Sequence, residues 1–92
     1  MVSTASSNQR RLQTAEIQLR EKAIRLIRVG SHEVTDSRSA RRSYEELSRA
    51  FVEEIVLVSS SGSRHDYYGD PLTVRQIVTL KQRHFDWRVE EI

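Results

Sequence analysis

The sequence predicts a small, mainly α-helical domain, becoming α+β only if one short hairpin forms, and three observations predict it. Apolar residues recur at three- and four-residue steps over long stretches, serine and aspartate stand where helix starts need side-chain caps, and the one segment without an apolar stripe, residues 31–42, is short. With 92 residues and an apolar fraction of 37%, the chain makes a single small domain over residues 1–92 with a lean core. A lean core leads us to expect help from a partner or from further copies.

The first helix is expected over residues 8–29. Leu12, Ala15, Leu19, Ala23, Leu26 and Ile27 form its stripe, which Ile17 and Ile24 widen. Ser6, Ser7 or Asn8 would cap its start, after a flexible 1–7 segment, and Gly30 would end it. Residues 31–42 read as a polar turn around Asp36-Ser37, either a β-hairpin or a loop, with Val34 and Ala40 its only apolar residues. The capping box Ser43-Tyr44-Glu45-Glu46 then predicts a second helix from Tyr44, with Leu47, Phe51, Ile55 and Val58 on the same face. The run Ile55-Val56-Leu57-Val58 also has strand character, which would stop that helix before it. Residues 59–63 read as a flexible linker. Asp70-Pro71 opens a C-terminal helix whose stripe, Val74, Ile77, Val78, Lys81, Phe85, Val89 and Ile92, carries it almost to the last residue.

Composition narrows the function. Without cysteine there is no disulfide framework and no thiolate metal site, which fits an intracellular or virion-assembled protein better than a secreted one. No stretch reads as a signal peptide or a membrane span, so no membrane partner is expected. Charge is uneven along the chain. Residues 1–43 hold nine Lys/Arg against four Asp/Glu, and residues 44–92 hold six against nine, a polarity that suits either head-to-tail assembly or a basic half laid on an acidic partner.

Catalytic chemistry finds little support. His32, His65 and His84 are isolated, the carboxylates come as adjacent pairs (Glu45-Glu46, Glu53-Glu54, Glu90-Glu91), and the glycines are scattered, so no metal site, acid-base pair or phosphate loop is assembled. The chain reads as no enzyme, with no cofactor. Arg38, Arg41 and Arg42 crowd the polar turn, and Trp87 and Ile92 lie late in the chain, which makes these five the candidate partner contacts. Arg10 and Arg11 are candidate phosphate contacts for nonspecific DNA binding.

The stretches Leu26-Ile27-Arg28-Val29-Gly30-Ser31-His32-Glu33-Val34-Thr35, Ser37-Arg38-Ser39 and Tyr44-Glu45-Glu46-Leu47 resemble the gpW-like head-to-tail joining proteins of tailed bacteriophages, over residues 12–58. The resemblance implies a helix, a short hairpin and a second helix, with a third helix added here. It also implies a virion connector that assembles as a ring, a homo-oligomer between portal and neck or tail proteins, made in the host cytoplasm and carried in the virion. The leading expectation is therefore a non-enzymatic assembly adaptor. Its rivals are a small nucleic-acid-binding regulator using the basic half, and an inhibitor or adaptor docking through the C-terminal helix.

Overall fold

The computed structural model describes residues 11–20, 22–61, 64–80 and 85–92. These residues make an α+β domain around a five-stranded mixed sheet, so the expectation of a mainly α fold is corrected. The elements in chain order are β1 (Arg11–Leu19), β2 (Lys22–Arg28), α1 (His32–Thr35), α2 (Ser37–Ser48), β3 (Glu54–Ser61), β4 (Arg64–Tyr68), α3 (Pro71–Thr79) and β5 (Arg88–Glu91). In the sheet the strands lie in the order β4-β3-β2-β1-β5. Every neighbouring pair is antiparallel except β2 and β3, which run parallel with α1 and α2 as the crossover between them.

The expected first helix is instead the β1–β2 hairpin, with Ile17 opposite Ile24, Ala15 opposite Leu26 and Thr14 opposite Ile27. Its apolar spacing looked helical because the hairpin buries residues on both faces. Ala15, Ile17, Leu19, Ile24 and Leu26 join one cluster, while Leu12 and Ile27 join the other. Two-sided burial removes the clean alternation that marks a strand with one wet face.

The expected polar turn is α1 followed by the first turns of α2. Asp36 caps α2 by accepting the Ser39 amide, and the helix starts there rather than at Tyr44. Ser43, expected as a cap, lies inside α2, where its hydroxyl donates to Glu33 at 2.8 Å. Ala40, Tyr44 and Leu47 form the narrow inward stripe, Ala40 and Leu47 being fully buried. Helix order over residues 12–58 thus becomes hairpin, helix pair, strand, which is not the helix–hairpin–helix order that the phage-connector resemblance implies.

The run Ile55 to Val58 is the heart of β3, and all four residues are buried, as a strand in a parallel pair covered on both faces should be. Ser59 to Ser61 continue that strand, so at these positions the expected linker is ordered sheet; 62–63 lie outside the described residues. The third helix begins at Pro71 with Asp70 accepting the Thr73 amide, but it ends at Thr79. Its expected continuation is replaced at Arg88 by β5, which pairs with β1 across the whole length of the chain. A partner so far away in sequence leaves no local trace. Residues 1–10 and 81–84, including the expected flexible start and the caps Ser6 to Asn8, lie outside the described residues.

The sheet is covered on both sides. α3, Phe85 and Trp87 pack on one face, over Ala15, Ile17, Leu26, Val56 and Val58. Val34, Tyr44 and Leu47 of α1 and α2 pack on the other, over Ile27, Ile55 and Leu57. Gly69 makes the tight join between β4 and α3. A Cβ there would stand 3.0 Å from the Val56 side chain and 3.4 Å from the Ile55 carbonyl, so a larger residue would press on β3.

Candidate functional site

α3 is the element whose outward face is least like a solvated helix. Thr73 and Ile77 point inward and are buried, and Val74 packs on the core. Outward stand Leu72 (69% exposed), Val78 (57%) and, one residue past the helix, Leu80 (47%), around an exposed Arg75. Two adjoining recesses run along one flank of the helix. The first, about 720 Å³, is lined by Leu19, Arg20, Lys22, Leu72, Thr73 and Gln76, with Asp70 at its end. The second, about 380 Å³, is lined by Leu19, Arg20, Arg75, Gln76, Thr79 and Leu80. They share Leu19, Arg20 and Gln76, and together form a trough with α3 as one wall and the β1–β2 turn as the other. A further recess of about 490 Å³ follows the opposite flank, where Tyr67, Gly69, Pro71, Val74 and Val78 line it.

A polar cluster fixes the two walls of the trough. The Lys22 ammonium donates to Glu54 at 2.8 Å and to the Thr73 hydroxyl at 3.2 Å, while that hydroxyl donates to Glu54 at 2.6 Å. Hairpin, β3 and α3 are thereby tied at one point. The hydrogen bond to Glu54 holds the Lys22 amine above its usual pKa, so Lys22 is charged and already engaged. Arg20 and Arg75 are different, for neither has a carboxylate partner among the described residues. The trough thus combines Leu19, Leu72 and Leu80 with two guanidinium groups that have no carboxylate partner among the described residues.

The predicted contact residues are scattered rather than gathered. Arg38, Arg41 and Arg42 lie exposed on the outer surface of α2, beyond the opposite face of the sheet, and Arg41 is paired with Glu45 at 3.6 Å. They stand on a helix and not on a turn. Trp87 is half-buried against the α3-side core, edge-on to Phe85 at 5.9 Å with the Arg28 guanidinium 5.5 Å from its ring centre. Ile92 packs against the core on the other face. Arg11 is exposed on β1, and Arg10 lies outside the described residues.

The uneven charge of the two halves finds partners within the fold. The ion pairs Lys22–Glu54, Arg25–Glu53 and Arg25–Glu90 each join the basic half to the acidic half. Burial works against the Arg25 charge, but hydrogen bonding to Glu53 and the charges of Glu53, Glu90 and Glu16 outweigh it, so its pKa rises. The Thr14 hydroxyl also donates to Glu90, which ties β5 to β1 and β2. Among the described residues no three His, Cys, Asp or Glu side chains converge on a metal position, and no helix is long and apolar enough to cross a membrane.

Sequence reasoning missed the trough because its two walls are 50 residues apart in the chain, at Arg20–Lys22 and Asp70–Leu80. One signal was present. Leu72 and Leu80 stand outside the stripe assigned to the third helix, and with Val78 they put more apolar residues around α3 than one buried face can hold. The fold and this site define a small mixed-sheet α+β domain with an open, helix-walled trough. No family model, curated protein or solved structure matches the chain.

Proposed function

We propose that the chain is a non-enzymatic binding module that takes a segment of a protein partner into the trough beside α3. The exposure of Leu72 and Leu80, which line the trough on and just after one nine-residue helix, carries this reading. A helix that met only water on its outer side would carry polar residues there. Apolar side chains clustered beside a recess and rimmed by charge are the usual make-up of a contact surface. Covering each of them contributes on the order of 1 kcal/mol or more to a complex. The outer side of α2 contrasts with this, since Arg38, Arg41, Arg42, Glu45, Glu46 and Arg49 mix both signs of charge in the manner of ordinary solvated surface. The adaptor role expected from the sequence is kept, and its contact surface moves to α3.

Selection of short random peptides displayed against the full chain tests the proposal. Enriched peptides should lose at least tenfold in affinity for the Leu72→Asp/Leu80→Asp variant, whose circular dichroism and melting should match the native protein. Peptides that bind this variant as tightly as the native chain would contradict it.

A further inference from the structure

Arg20 occupies the first position of the two-residue turn between Leu19 and Lys22, with a φ of 48°. Turns of this length need a left-handed residue there, and glycine, asparagine or aspartate supply it at little cost, whereas a long side chain is disfavoured. Among the described residues Arg20 is the one non-glycine residue in that conformation. Residues held against their backbone preference cluster at positions where the side chain has a task. Arg20 lines both recesses of the trough, which also share Leu19 and Gln76. Arg75 rims the second recess and, like Arg20, has no carboxylate partner among the described residues.

We infer that the trough is specific for an acidic amphipathic protein segment, and that Arg20 is the specificity-determining contact, pairing with a carboxylate of the segment while Leu72 and Leu80 take its apolar side chains. This rests on the docking role proposed for α3 and adds the chemistry of the partner. Guanidinium groups pair with carboxylates in a two-pronged geometry that a lysine cannot reproduce, and Leu72 and Leu80 beside them admit leucine-like anchors. The carboxylates described near the trough are already engaged. Asp70 accepts from the Thr73 amide at 3.2 Å, and Glu54 is held by Lys22 and Thr73. A basic segment would meet two arginines that have no carboxylate partner among the described residues, so the same pair disfavours it.

Arg20→Gly separates a binding role from a structural one because the two predict opposite signs. Relief of the left-handed strain should raise the melting temperature by about 4 °C or more. Affinity for peptides selected on the native chain should fall about fivefold at low salt, with a smaller loss at high salt. Those peptides should carry an excess of aspartate and glutamate beside apolar pairs, and Arg75→Gln should weaken them in the same way. Neutral or basic selected peptides, or peptides that bind Arg20→Gly as well as the native chain, would overturn the inference. If such peptides still lose affinity on Leu72→Asp/Leu80→Asp, docking on α3 stands and only the partner chemistry falls. If they are indifferent to that variant as well, or no peptide is enriched, both fall.

Discussion

Arg25 shows how single residues hold this small domain together. It reaches from β2 to Glu53, ahead of β3, and at 2.7 Å to Glu90 of β5, with the Phe51 ring 5.7 Å from its guanidinium carbon. On the other side of that pair, Glu53 has its pKa lowered by a hydrogen bond from its own backbone amide and by the one from Arg25. A carboxyl group whose folded pKa lies below its unfolded value contributes stability that is complete above the unfolded pKa and is lost as pH falls through the folded one. Asp36 at the start of α2, lowered by hydrogen bonds from the Ser39 hydroxyl and amide, acts with the same sign. Glu53→Gln should therefore cost about 1 kcal/mol at pH 7, after allowing for partial solvent screening. The cost should shrink toward zero as both proteins are acidified below about pH 4, the unfolded range of glutamate. Urea midpoints of both proteins between neutral and acid pH provide the check. Gly69→Ala belongs to the same scale. Its added methyl group has to displace Val56, which is fully buried, so a loss of about 1–3 kcal/mol is expected in the same unfolding experiment.

At the scale of elements, what was legible in the sequence depended on whether the determining contacts were local. Asp70 and Pro71 placed the start of α3 because a cap and a first-turn proline act within a few residues. The run Ile55 to Val58 carried the strand character that β3 uses, since a strand covered on both faces is apolar at successive positions. The β1–β2 hairpin was hidden twice. Leu12 and Ile27 serve one core while Ala15, Ile17, Leu19, Ile24 and Leu26 serve the other, which breaks the two-residue period, and a turn beginning with Arg20 has none of the glycine or asparagine that announces a hairpin. In α2 the stripe Ala40, Tyr44, Leu47 is helical in spacing but thin, and the capping box at Ser43 drew the start seven residues too late. For β5 nothing local could serve. Phe85, Val89 and Ile92 keep helical spacing, and only pairing with β1 makes Arg88–Glu91 a strand. The trough inherits both kinds of non-locality, because one of its walls is the hidden hairpin turn.

At the scale of the whole molecule, the charge imbalance between the halves of the chain has an internal meaning. The sheet interleaves the halves, with β2 of the basic half beside β3 of the acidic half, and three ion pairs close across that division. Part of the charge polarity is thus used inside the fold, while Arg20 and Arg75 at the trough have no carboxylate partner among the described residues. Two opposite sides of the domain thus differ in kind: α2 presents mixed charge to solvent, and α3 presents leucine and valine around a positive rim. The central claim is that ligands enter on the α3 side, and hydrogen exchange of the full chain with and without a peptide selected against it tests this most directly. Slowed exchange is expected in α3 and the β1–β2 turn, with α2 unchanged; slowed exchange confined to α2 or to the outer edge of β4 would contradict docking on α3.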